Sequence, residues 1–269
     1  MTTNSSRHDT WSSGDAYERY IGRWSRLVAP EFIRWLAVPE DSQWLDVGCG
    51  TGALSQTIAD LAKPKKVTGV DRSEDYVKSA QNRINSPKAE FQAGDAQALP
   101  VNSEMYDAVI SGLVLNFVPL PHQMIAEMTR AARKNGVVGV YVWDYAGEMQ
   151  LLRHFWDAAA ALDSDAQHLD EGSRFSICQP DALASLFQDS GLMDVETRPI
   201  DVPTNFDDFD DYWMPFLGGQ GPAAGYAMSL SEQRRAQLRD RIYKSLPVAE
   251  DGSIPLMARA WAVKGIKPE

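Results

Sequence analysis

The sequence predicts an α/β fold: a mostly parallel sheet with helices between its strands, followed by a helical insert. Three observations carry this expectation. Apolar runs of strand length alternate with amphipathic runs of helix length through the first two-thirds of the chain, as in strands joined by crossover helices. A glycine-rich turn, "DVGCGTGA", lies between the first such strand and a helix-like run. That arrangement brings a ligand against main-chain N–H groups at a helix N-terminus. Finally, 269 residues with 44% hydrophobic content suffice for one large, well-filled domain.

The first element is a helix in "AYERYIGRWSRLVAPEFIRWL", where Tyr17, Tyr20, Ile21, Trp24, Leu27 and Val28 fall near helical spacing and form a lid or flank. Strands are expected at 43–48, 66–71, 89–94, 106–112 and 136–144, with helices at 52–62, 74–85 and 121–134 between them. Arg130, Arg133 and Lys134 suit the negative end of the last of these helices, and Asn135 with Gly136 is expected to stop it. Beyond Asp144 the alternation fails. A helix at 149–162, a loop "SRFSICQ" and a helix from Pro180 to Gly191 come first, and a strand "DVETRPIDVP" follows. Two helical stretches, "FDDFDDYWMPFL" and "SEQRRAQLRDRIYKSL", precede a last strand in "SIPLMARAWAVKGI". The intervening "LGGQGPAAGYAM" reads as a mobile loop or long connector. Phe206, Phe209, Trp213 and Phe216 suit core packing and the lining of an apolar substrate pocket equally well.

Composition removes several function classes. A net charge of −11 argues against nucleic-acid binding, which depends on Lys and Arg neutralising phosphates. Cys49 and Cys178 are the only cysteines, so a disulfide framework is not expected and a reducing cytoplasm is. Neither these nor His122, His154 and His168 have metal-ligand spacing, so no metal is expected. No run of about 18 apolar residues occurs, and the start, "MTTNSSRHDTWSSGD", is polar, so no membrane span is expected.

The glycines alone leave two ligand classes open. Gly48, Gly50 and Ala53 satisfy the dinucleotide pattern G-x-G-x-x-G/A. Asp46, two residues before the first glycine, repels a pyrophosphate and attracts an ammonium or sulfonium group. Asp71, at the end of the second strand, is placed for two ribose hydroxyls and argues against a 2′-phosphate. Asp95 in "AGDAQAL" is placed to accept from an adenine amino group, with the Ala96 N–H as a donor. Cys49 reads as a small filler of the turn, because nothing nearby in sequence activates its thiol.

Taken in order, "LDVGCGTG", "GVDRSEDYVKSAQ", "FQAGDAQALP" and "YDAVISGLVLNFVPLPHQMIAEMTRAARKNGVVGVYVWD" resemble the class I S-adenosylmethionine (SAM) dependent methyltransferases, specifically the type 11 group, over residues 40–145. The resemblance implies a Rossmann-like, seven-stranded, mostly parallel sheet with an antiparallel last strand and helices on both faces. It implies that Asp46 and the turn Gly48, Cys49 and Gly50 hold the methionine part and Asp71 the ribose. Arg72 would pack by the adenine, Gly94, Asp95 and Ala96 would bind its edge, and Ser111 with Leu113 would close the methionine side. Tyr17, Tyr20 and Arg23 would come over the cofactor from the N-terminal helix. The corresponding organisation is a helical lid at 1–36, a SAM-binding core at 37–145, and cap segments with the last two strands at 146–269.

The activity implied is transfer of the SAM methyl group to a small organic acceptor, leaving S-adenosylhomocysteine (SAH). Methylases of amide or exocyclic base nitrogens carry Asn/Asp-Pro-Pro-aromatic after the fourth strand, where this chain reads "SGLVLN". Asp144 and Tyr145 end the fifth strand, and one is expected to contact the acceptor, Asp144 as a base. An NAD-dependent oxidoreductase and an inactive SAM-binding regulatory module stand as alternatives. The oligomeric state is left open, a homodimer included.

Overall fold

A computed structural model describes residues 22–218 and 221–269. Its helices are α1 (Arg23–Leu36), α2 (Ala53–Leu61), α3 (Glu74–Arg83), α4 (Pro121–Ala131), α5 (Gln150–Leu162), α6 (Glu171–Arg174), α7 (Pro180–Asp189), α8 (Phe209–Trp213), α9 (Gly221–Ser229) and α10 (Glu232–Ser245). Its strands are β1 (Gln43–Val47), β2 (Lys66–Asp71), β3 (Ala89–Ala93), β4 (Tyr106–Gly112), β5 (Ala132–Trp143), β6 (Met193–Phe206) and β7 (Ile254–Ile266). Two compact units result. One comprises Arg26–Trp143, Ile177–Ile200 and Ala260–Glu269, and the other comprises the described residues up to Ser25, Asp144–Ser176 and Asp201–Arg259.

The first unit is built on the seven-stranded sheet, in the order β3-β2-β1-β4-β5-β7-β6. β1 pairs in parallel with β2 and with β4, β2 with β3, and β4 with β5. β7 runs antiparallel to β5 from Val137↔Ile266 to Trp143↔Ala260, so the expected seven strands and reversed last strand are present. β1 carries Trp44, Leu45 and Val47 with almost no exposure, interrupted only by the buried Asp46, the pattern of a strand covered on both faces. Because β1 has β2 on one side and β4 on the other, the chain order reverses there. The carboxyl ends of β1 and β4 therefore open a crevice, the usual ligand position in open α/β sheets. α1 is amphipathic, with Val28, Phe32 and Leu36 at four-residue spacing and buried. Phe32 and Leu36 occupy the space that a side chain on Gly139 of β5 would need.

Two expectations require correction. α4 ends at Ala131, three residues earlier than its charged tail suggested, and Arg133, Lys134 and Asn135 already belong to β5. Ala132 pairs with Tyr106, and the Asn135 N–H donates to Lys267 O at 2.9 Å, so sheet pairing outweighs the helix-stop signal. The stretch read as a mobile loop contains α9 instead. Gly221 starts it with φ +77°, and Ala223, Ala224 and Ala227 are fully buried, so the small residues serve close packing.

The second unit has an aromatic core. Phe155 of α5 stacks on Phe216 at 4.5 Å between centroids, and the buried Tyr212 donates its hydroxyl to Leu151 O at 2.8 Å. Phe206, Trp213 and Phe216 are therefore core residues of this unit. Glu171 is also buried in this unit and accepts from Trp156 Nε1 at 2.5 Å. Burial pushes its carboxyl up to about 7, against the lowering effect of its backbone and Trp156 bonds. This pKa lies above the ordinary 4.5, so protonation favours the fold below pH 4.5 and that advantage is lost as pH rises to 7. At pH 8 the fold buries a charge. Glu171→Gln is therefore expected to be more stable than wild type at pH 8, by at most about 3 kcal/mol, with the difference vanishing towards pH 4. Urea unfolding at the two pH values measures this; a destabilised variant at pH 8 would refute it.

Candidate cofactor-binding site

The turn after β1 is held from below. Gly48 N and Cys49 N both donate to Val70 O of β2, at 2.7 and 3.0 Å, and Gly52 N donates to Cys49 O at 2.9 Å. Gly48, Gly50 and Gly52 all have positive φ, at +73°, +53° and +90°. Two of the three are also required by packing: a Cβ on Gly48 would lie 2.6 Å from Val114, and one on Gly52 would lie 2.6 Å from Ile84. A Cβ on Gly50 would meet nothing within 4 Å. Gly50 thus presents bare backbone to open space at the N-terminal side of α2, where a ligand can lie flat.

Two carboxylates, Asp46 and Asp71, stand at this turn, and a third, Asp95, follows β3. Asp46 is almost fully buried; its Oδ2 accepts from Ser55 Oγ at 2.6 Å, while its Oδ1 has no hydrogen-bond partner. Burial pushes its carboxyl up to about 7, the Ser55 hydroxyl opposing this and the nearby Asp71 adding to it. An orphaned carboxylate oxygen in such a place fits a cationic group and not a pyrophosphate. Asp71 accepts from Gly50 N through Oδ2 and from Ser73 N through Oδ1, both at 2.9 Å. Each oxygen keeps a further lone pair, as the ribose role requires. Asp95 is exposed; its Oδ1 accepts from Gln97 N at 2.8 Å, shaping the turn that presents Ala96.

The loop after β3 is latched to α4. Arg130 donates to Leu99 O at 3.1 Å and Val101 O at 2.9 Å, and Glu127, paired with Arg130 at 2.7 Å, accepts from Leu99 N at 2.8 Å. The Arg130 bond keeps the Glu127 carboxyl below its ordinary range, against a rise from partial burial. Arg130→Ala is expected to loosen the Asp95 turn and weaken SAH binding about 3- to 10-fold, the order of one lost hydrogen bond. Calorimetry reads this, and unchanged affinity would show that the loop does not need the latch. This latch was missed in the sequence because it depends on residues about 30 positions apart.

The remaining expected residues fall as follows. Arg72 is exposed beside Asp71, and a Cβ on Gly94 would strike Pro100 at 2.5 Å, so that glycine is needed by packing. Cys49 packs with Val77, Ala80, Ile84 and Phe91. Burial first, then the charges of Asp46 and Asp71, push its thiol well above its usual range, in agreement with a filler role. Ser111 is fully buried and donates to Val47 O at 2.7 Å, tying β4 to β1. Leu113 has φ +62°, a conformation that costs a non-glycine residue energy, and its N–H donates to Tyr141 O at 2.8 Å. The strain sits at the crevice. Tyr17 and Tyr20 lie outside the described residues, and Arg23 begins α1.

All the described cofactor candidates from Asp46 to Leu113 belong to the sheet unit, whereas Asp144 and Tyr145 belong to the second. There the Asp144 carboxylate accepts from Gly147 N at 3.0 Å and Glu148 N at 3.1 Å, and the buried Tyr145 ring faces Phe175 at 5.5 Å. Among the described residues no cluster of His, Cys, Asp and Glu has metal-binding geometry, and no helix is long and apolar enough to cross a membrane.

A family model described as a methyltransferase domain matches residues 45–140. The demethylmenaquinone methyltransferase of Roseiflexus castenholzii is 31% identical over 175 residues, 60% of this chain and 72% of that protein. The 2-methyl-6-phytyl-1,4-hydroquinone methyltransferase of Synechocystis is 27% identical over 241 residues, 80% of this chain and 73% of that protein. Among solved structures, phosphoethanolamine N-methyltransferase 2 of Haemonchus contortus in complex with SAM superposes with a TM-score of 0.60 at 14% identity, over 95% of this chain and 56% of that one. That likeness is one of fold. With the ordered motifs, the strand order and these matches together, the chain belongs to the type 11 family of class I SAM-dependent methyltransferases.

Proposed function

We propose that this protein transfers the methyl group of SAM to a small organic acceptor, a quinone or hydroquinone ring being the class that two of its relatives name. The observation that carries the cofactor reading is the orphaned Oδ1 of Asp46 at the end of β1, together with the bare backbone of Gly50 in the turn that follows. When bound, SAM supplies a methyl group on a sulfonium, which an in-line acceptor displaces. Asp46 would hold the ammonium end, Asp71 the two ribose hydroxyls, and Asp95 with Ala96 N–H the adenine edge. The acidic surround suits a cationic cofactor and suits a dinucleotide poorly. The chain's own contribution is then alignment and exclusion of water, which an SN2 displacement chiefly needs. The demethylmenaquinone and hydroquinone methyltransferase relatives support the acceptor class.

Titration calorimetry with SAH tests the cofactor reading, with one site per chain expected. Absence of binding, with NAD binding in its place, would overturn it. Tritiated-methyl transfer to a panel of hydroxylated rings tests the reaction; SAH binding without transfer to any acceptor in a cell extract would favour the inactive module. Asp144 is the proposed proton acceptor, acting from a carboxylate that also anchors its own turn. Asp144→Asn is expected to lower turnover roughly 100-fold, the usual scale of general-base loss, with SAH affinity unchanged. A pH–rate profile identical to wild type would remove that role.

A further inference from the structure

Asn116 lies in the 3₁₀ turn Leu115–Phe117, three residues after the strained Leu113. It is 9% exposed, and neither its Nδ2 nor its Oδ1 has a hydrogen-bond partner. A buried primary amide with both ends unpaired costs a fold stability and is seldom kept without use. Among the described residues of the sheet unit, the other buried side chains with an unpaired polar atom are Trp44, Asp46 and Trp143. Trp44 stands near the start of β1, whereas Asp46 and Trp143 stand at the carboxyl ends of β1 and β5 and Asn116 follows the carboxyl end of β4. Unpaired polarity is thus concentrated on the edge that carries the cofactor turn. Asn116 alone among these four offers both a donor and an acceptor.

The approach to this turn is pinned on two sides. Val114 fills the space a side chain on Gly48 would need, and Leu113 N–H is bonded to Tyr141 O of β5. Asn116 therefore lies two residues after Val114, which packs against the glycine turn, and its own backbone is set by a short 3₁₀ turn in which Leu115 is also buried. An amide presents its donor and acceptor side by side. Its complement is a ligand with a hydroxyl proton and an oxygen lone pair on neighbouring atoms.

We propose that Asn116 is the specificity-determining residue for the methyl acceptor, selecting rings that carry two adjacent oxygens, at least one of them a hydroxyl. This rests on the methyltransferase reading above. Oδ1 accepts the hydroxyl proton and Nδ2 donates to the neighbouring oxygen. In the transfer itself an acceptor electron pair forms the new bond to the methyl carbon, the carbon–sulfur pair stays on sulfur, and one acceptor proton passes to the carboxylate of the proposed base, Asp144.

The test compares wild type, Asn116→Leu and Asn116→Ala, using tritiated SAM with catechol and with phenol as probes, and SAH in calorimetry. Wild type is expected to favour catechol over phenol by at least about 10-fold in kcat/KM, the scale of one discriminating hydrogen bond. Both variants are expected to lose that preference, mainly through KM, while binding SAH within about 3-fold of wild type. Asn116→Leu should melt at or above the wild-type temperature, because it removes an unpaired amide. The proposal falls if the variants keep the preference, if wild type shows none, or if wild type binds SAH and methylates neither probe. It falls equally if SAH affinity drops more than about 10-fold, which would make Asn116 a cofactor group, or if both variants melt well below wild type, which would make it structural. Failure of wild type to bind SAH would instead overturn the methyltransferase reading beneath it.

Discussion

Asp71→Ala is expected to weaken SAH binding by at least about 100-fold. The proposed ribose contact makes two hydrogen bonds to a charged acceptor, each worth about 1.5–3 kcal/mol, and about 1.4 kcal/mol is a factor of ten in affinity. The substitution also removes the acceptor for Gly50 N and Ser73 N, so the glycine turn and the start of α3 both lose an anchor. Asp71→Asn separates the two contributions, since it keeps one acceptor oxygen and a similar shape. Its affinity should fall between those of wild type and the alanine variant. Calorimetry at fixed salt decides, and an alanine variant that binds SAH like wild type would show that the ribose is held elsewhere.

Asp46 carries the second large effect, with opposite signs for stability and for binding. Its carboxyl is pushed up to about 7 from 3.8, chiefly by burial. The protonated form is therefore favoured by the fold, fully so below pH 3.8, and that stabilisation is lost as pH rises through 7. By linkage, the ionised side chain costs the unliganded protein up to about 4 kcal/mol at pH 8, and Asp46→Asn should recover about half of this, since its amide leaves an unpaired N–H. The ammonium of SAH requires the opposite state. Affinity for SAH is expected to rise about 10-fold per pH unit between pH 5 and 7 as Asp46 ionises, then to level off. Asp46→Asn should bind more weakly and without that slope. Thermal unfolding at pH 8 without ligand, and calorimetry from pH 5 to 7, check the two signs. A pH-independent wild-type affinity would mean that Asp46 does not meet the cation.

The candidate site was legible in one dimension because of where its residues fall along the strands. The candidate residues Asp46, Gly48, Gly50 and Asp71 lie at or just after the ends of consecutive strands, and a parallel sheet places successive strand ends on one edge whatever the side chains elsewhere. Asp95 belongs to the same pattern. Ser111 and Gly94 were identified in the same way, yet the structure finds packing and strand-tying reasons for both, because a buried hydroxyl or a missing Cβ has the same sequence signature whether its neighbour is protein or ligand.

The sequence by itself determined the alternation of strands and helices, the reversed last strand implied by the family pattern, and the carboxylates around the glycine turn. These depend on local periodicity, turn chemistry and spacing along the chain. Only the tertiary structure decided that the glycine-rich stretch beyond residue 217 forms α9, that β5 begins at Ala132, and that Arg130 latches the Asp95 loop. It alone left Asp46 Oδ1 and both ends of the Asn116 amide without partners. Each of these outcomes is set by burial and by partners distant in sequence. Desolvation and packing act on neighbours in space, which the order of residues does not display.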